Sequence, residues 1–75
     1  LERYRDETGT SGIAAFEIAD DGIAIEFKDG GTFLYTPAVT GRGEVETMKE
    51  LARTGHGLNT FINKYVRDRY AKKLR

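Results

Sequence analysis

The chain has 75 residues, no cysteine, a formal net charge of zero, and a composition that is 39% hydrophobic and 32% charged. That is one domain's worth of chain, near the size where a packed core only just suffices. It is too apolar for a disordered segment and too charged for a membrane-spanning one.

Disulfides and thiolate metal sites are excluded, so stability rests on packing, and a reducing cytoplasm is the expected setting. Residues Leu1 to Glu7 are charged rather than signal-like. No run approaches the roughly 18 uninterrupted apolar residues of a spanning helix, so no membrane contact is expected.

Leu1 to Gly9 mixes both charge signs around Tyr4 and runs into a turn-prone Thr-Gly-Thr-Ser-Gly stretch. Residues 1–10 therefore read as an N-terminal arm and residues 11–75 as a single domain. Ile13–Ala19, Ile23–Lys28 and Thr32–Thr36 are short runs rich in Ile, Phe and Tyr. Asp20-Asp21-Gly22 and Asp29-Gly30-Gly31 separate them, which predicts a three-stranded antiparallel meander.

A two-residue Asp21-Gly22 turn would pair Ile18 with Ile25 and Phe16 with Phe27. For the second hairpin, a three-residue Lys28-Asp29-Gly30 loop pairs Ile25 with Phe33 and Ile23 with Tyr35. These registers put Phe16, Ile18, Ile23, Ile25, Phe27, Phe33 and Tyr35 on one face. Ala15, Glu17, Ala24, Glu26, Thr32 and Leu34 fall on the other.

From Glu44 the period changes: Val45, Met48, Leu51 and Ala52 share a helix face, and Gly55 is placed to end it in the left-handed conformation. Phe61, Ile62, Tyr65, Val66, Tyr70 and Leu74 then recur at three- and four-residue spacings. They predict a longer final helix capped by Asn59, with Tyr65 in the core. The expected fold class is α+β, a meander followed by two α-helices packed on one sheet face.

With these elements placed, Thr10 to Tyr65 resembles the KTSC family, the small domain named for its occurrence at the carboxyl end of some lysyl-tRNA synthetases. The residues that carry the resemblance are Ser11 and Ile13, Gly22 through Phe27, Asp29-Gly30, and Phe33-Leu34-Tyr35 in place of a Tyr-x-Tyr motif. Leu51-Ala52, Gly55, Asn59, Ile62 and Tyr65 complete it. Phe33 stands where the family has its first tyrosine, and Gly57 where an aromatic is usual. The resemblance implies a compact strand-and-helix domain, and the family's place on a tRNA-handling enzyme brings RNA forward as a ligand class.

The net neutrality is a cancellation. Six of the twelve basic residues lie between Leu58 and Arg75 against the single acid Asp68, so this end carries five excess positive charges and the remainder five excess negative ones. On the expected final helix, Lys64, Arg67, Lys72 and Arg75 form a stripe with Asn63 at its edge, suited to neutralising phosphates. The same stripe is what a solvated helix face with a favourable dipole looks like. Arg69 lies nearer the apolar boundary.

Gly55, His56, Gly57 and Asn59 precede the helix, where unpaired N–H groups attract anions, although such a segment also serves as a plain Gly-rich link. Phe33 and Tyr35 suit either the core or a base-stacking platform, and the register favours the core. One histidine without cysteine supports no metal site, and no hydroxyl has an assignable base. The expectation is a non-enzymatic binding module without a cofactor, its partner RNA or another polyanion. The alternative is a protein-interaction or structural accessory domain, its basic helix docked on an acidic protein surface. With no base-reading surface legible, little sequence preference is expected.

Overall fold

The computed structural model describes residues 1–6, 9 and 11–75. Within these, the turn-rich approach to the first hairpin is described only at Gly9, Ser11 and Gly12, and the remainder of that expectation lies outside the described residues. The fold is a five-stranded antiparallel sheet in sequential order, with helices on one face. Its strands are β1 (Glu2–Arg3), β2 (Ile13–Ala19), β3 (Gly22–Phe27), β4 (Thr32–Tyr35) and β5 (Lys72–Lys73). The expected meander is β2–β4. The two short outer strands enlarge it, and neither is long enough to show a period-two pattern in the sequence.

The described start of the expected arm, residues 1–6, is tied into the fold. Glu2 pairs with Phe16 and Arg3 with Ala15, and Tyr4 sinks into the core with its hydroxyl accepting the Leu58 N–H at 3.3 Å. Asp6 takes a hydrogen bond from the Ser11 N–H and pairs with Lys28 at 2.8 Å.

The second hairpin has the expected register: Ile25 faces Phe33 and Ile23 faces Tyr35, with the Phe27 N–H bonded to the Gly31 carbonyl. The first hairpin is displaced by two residues. Ala19 pairs with Gly22, Ile18 with Ile23 and Phe16 with Ile25, which makes Asp20-Asp21 the turn. Gly22 is a strand residue for a steric reason. The Tyr35 carbonyl oxygen lies 2.3 Å from where a Cβ would stand, so only glycine admits that approach of β4. A two-residue displacement keeps every side chain on its expected face. A bulge between Ile13 and Ala15 then brings Ile13 opposite Phe27.

On the inner face Phe16, Ile23, Ile25 and Tyr35 are buried beneath Val45, Met48 and Ala52 of α2 (Arg42–Thr54). A single helical turn, α1 (Pro37–Thr40), leads into α2. Gly55 ends α2 as expected, at φ 75° with its N–H on the Leu51 carbonyl. On the outer face Glu17 is exposed, but Ala15, Ala24 and Thr32 are buried, contrary to the expectation of an open surface.

The final helix departs most from expectation. It is one α-turn, α3 (Leu58–Phe61), followed by a π-helix (Ile62–Val66) that closes with the Arg67 N–H on the Ile62 carbonyl. The longest helix is therefore α2. Wider π-winding keeps residues four apart in line and turns residues three apart away from one another. Leu58, Ile62 and Val66 accordingly line the core, whereas Tyr65, expected inside, is 56% exposed. Asn59 does not cap: α3 starts at Leu58 after a left-handed Gly57, and the Asn59 Oδ1 accepts the Gly12 N–H at 2.9 Å. No helix among the described residues is long and apolar enough to cross a membrane.

Candidate nucleic-acid interface

Helical winding stops at Arg67, whose φ of 48° and ψ of −115° lie in territory that suits glycine. From there the chain turns back along β4: the Ala71 N–H bonds to the Leu34 carbonyl, the Leu74 N–H to the Thr32 carbonyl and the Thr32 N–H to the Arg75 carbonyl. Arg69 anchors the reversal, its guanidinium donating to the Thr40 carbonyl while the Thr40 hydroxyl donates to the Arg69 carbonyl. The basic stripe thus does not exist as one helix face. Asn63 and Lys64 lie on the π-helix, Arg67 at its end, Lys72 on β5, and Arg75 beyond β5 beside β4.

What the reversal creates is a groove of about 550 Å³ between the sheet and the π-helix. Phe27, Phe33 and Tyr35 form its sheet wall, Ile62, Asn63 and Arg67 its helical wall, and Asp68 and Tyr70 close its end. The rings interlock. Phe33 and Tyr70 have centroids 4.5 Å apart, Phe27 meets Phe33 edge-on at 5.8 Å, and Tyr70 meets Tyr35 edge-on at 6.3 Å.

Phe33 is therefore partly exposed, while Tyr35 is 1% exposed and serves the core. Burial, with a smaller contribution from Tyr70, pushes the Tyr35 hydroxyl up to about 12. The Nζ of Lys73 stands 5.8 Å from the Phe33 centroid, a cation over an aromatic face at the mouth of the groove. The Arg67 Nε donates to the Asn63 carbonyl, which fixes the arginine stem along the helical wall. A second aromatic pair, Phe61 and Tyr65, lies on the exposed side of the π-helix with the Lys64 Nζ 5.6 Å from the Tyr65 ring.

Sequence reasoning missed Tyr70, Asp68 and Lys73. Tyr70 was legible as an aromatic, but its spacing from Val66 matched a helix that the chain abandons.

Gly55, His56, Gly57 and Asn59 do come together, in a separate cleft of about 410 Å³ with Tyr4 and Asp6. Its chemistry is poor for an anion. α3 is a single turn, the Asn59 oxygen is engaged by Gly12, and the Asp6 carboxylate shares the wall. The hydrogen bond from Lys28, at 2.8 Å, chiefly holds the Asp6 carboxyl below its ordinary range.

No family model, no curated protein and no solved structure matches this chain.

Proposed function

We propose that this chain is a small non-enzymatic module that binds RNA through the basic and aromatic ground between the π-helix and β5. Arg67 carries the reading. An arginine held where glycine fits best, on the wall of an aromatic groove, spends backbone strain to place a charge beside stacking surfaces. Lys73, paired opposite Phe33, already lies over its ring, and Lys64 flanks the ground from the exposed side of the π-helix, whereas Lys72, opposite Leu34, belongs to the other sheet face. The resemblance of Thr10 to Tyr65 to the KTSC family supports RNA as the ligand class. A cytoplasmic setting accords with the absence of cysteine.

The test is a titration of fluorescent single-stranded RNA at two salt concentrations. About three phosphate contacts, each releasing roughly 0.7 of a counterion, give a log–log salt slope near −2 and affinity of about micromolar order. Arg67→Glu with Lys73→Glu should weaken binding severely without unfolding the chain, because both side chains are exposed. Binding that ignores both salt and the double substitution overturns the proposal. So does absence of binding at low salt, which leaves an acidic protein surface as the partner to seek.

A further inference from the structure

Resting on that RNA reading, we infer that the groove is a subsite for one unstacked guanine of a single strand, held by Phe33 and Asp68. Its volume of about 550 Å³ belongs to an open groove with room for a single base. The lining asks for a planar aromatic group, since the partly exposed Phe33 ring is buttressed by Tyr70 on one side and by the Phe27 edge on another. Aromatic walls with an acid at the rim also suit a quaternary ammonium ion. Here the chain's own Lys73 stands over Phe33 and Arg67 lines the opposite wall, so an incoming cation meets two positive charges. A base attached to a phosphate takes the Phe33 face that the Lys73 side chain covers, and the displaced ammonium pairs with the phosphate.

The choice of base follows from Asp68. Its side chain is exposed and, among the described residues, engages in no ion pair or side-chain hydrogen bond. A carboxylate offers acceptors only. Guanine is the one common base whose Watson–Crick edge presents two adjacent donors, N1–H and the N2 amino group. Adenine and cytosine place an acceptor nitrogen beside their amino group, and uracil flanks its single N–H with two carbonyls, so a carboxylate repels part of each edge. Asn63 lies on the facing wall, where its amide can donate to the guanine O6. Arg67 is then beside the ribose-phosphate.

The experiment compares short oligouridines carrying one central guanosine, inosine or adenosine, and plain oligouridine, at low salt by fluorescence anisotropy. The wild type should prefer guanosine over adenosine by about tenfold, with inosine, which lacks the N2 amino group, between them. Asp68→Asn should bring guanosine to the adenosine level while oligouridine binds as well as before or better. Phe33→Leu, with its fold checked by circular dichroism, should weaken every strand that offers a base to the groove.

Equal affinity of the wild type for guanosine, adenosine and uridine overturns this inference while salt-dependent binding keeps the RNA reading intact. Undiminished guanosine preference in Asp68→Asn overturns it too, and that exposed substitution decides the matter even if Phe33→Leu fails to fold. A wild type that binds none of the strands at low salt removes both readings.

Discussion

Arg67 concentrates the tension between stability and function in a single backbone. Its positive φ places it among conformations that cost a non-glycine residue about 1–3 kcal/mol, and its side chain recovers only an exposed hydrogen bond to Asn63. Replacing arginine by glycine inside an ordinary helix would lower stability. At this position Arg67→Gly should leave the melting temperature equal to or above that of the wild type, while RNA affinity falls. A clear drop in Tm would show that the conformation carries no strain, and would remove the main reason for reading this arginine as a binding residue. The position was legible from the sequence only as a basic residue. Nothing in Val66-Arg67-Asp68 announces a chain reversal, since neither glycine nor proline marks it.

At the scale of elements, the sequence resolved what depends on local pattern and missed what depends on competition between patterns. The second hairpin was readable because Gly30 and Gly31 both adopt positive φ and fix the loop. The first was misplaced by two residues because Asp21-Gly22 looks like a turn, whereas Gly22 answers to the Tyr35 carbonyl across the sheet.

The last segment fulfilled a helical spacing as far as Val66. Beyond it, a pairing with β4 took over Ala71 to Arg75, and two-residue strands leave no periodic trace. π-Winding then rotated Tyr65 outward. Tyr65→Ala should consequently cost less than about 0.5 kcal/mol in chemical denaturation, the size of a surface change. Tyr35→Ala should cost roughly 3–5 kcal/mol, as for a buried aromatic. Comparable losses at both positions would mean that Tyr65 packs inside and that the π-helical phase is wrong.

Taken whole, the molecule spreads the basic end of its sequence over several places: Arg67 lines the groove, Lys73 lies over Phe33, Lys72 sits opposite Leu34, Lys64 lies against Tyr65 and Arg69 holds the Thr40 carbonyl. Its stability should depend on pH at both extremes. The raised Tyr35 hydroxyl is neutral in the folded chain over a window where the unfolded chain loses its proton. Stability from this group is complete below about pH 10 and lost as pH rises toward about 12. Asp6, lowered by Lys28, works in the other sense: its contribution is present above the ordinary carboxylate range and fades as acid protonates it. Thermal melts across pH should therefore show an alkaline decline that Tyr35→Phe flattens. An unchanged decline in that variant would assign it to other groups.

The central claim is that RNA lies on the ground between the π-helix and β5, and amide chemical-shift mapping by NMR during titration with a short guanosine-containing single strand tests it most directly. The account predicts the largest changes at Phe33, Asn63, Arg67, Asp68, Tyr70 and Lys73, with Gly55 to Asn59 and the exposed Glu17 on the outer sheet face nearly still. Changes centred on Gly55 to Asn59 or on the outer face, with the groove unmoved, would contradict it.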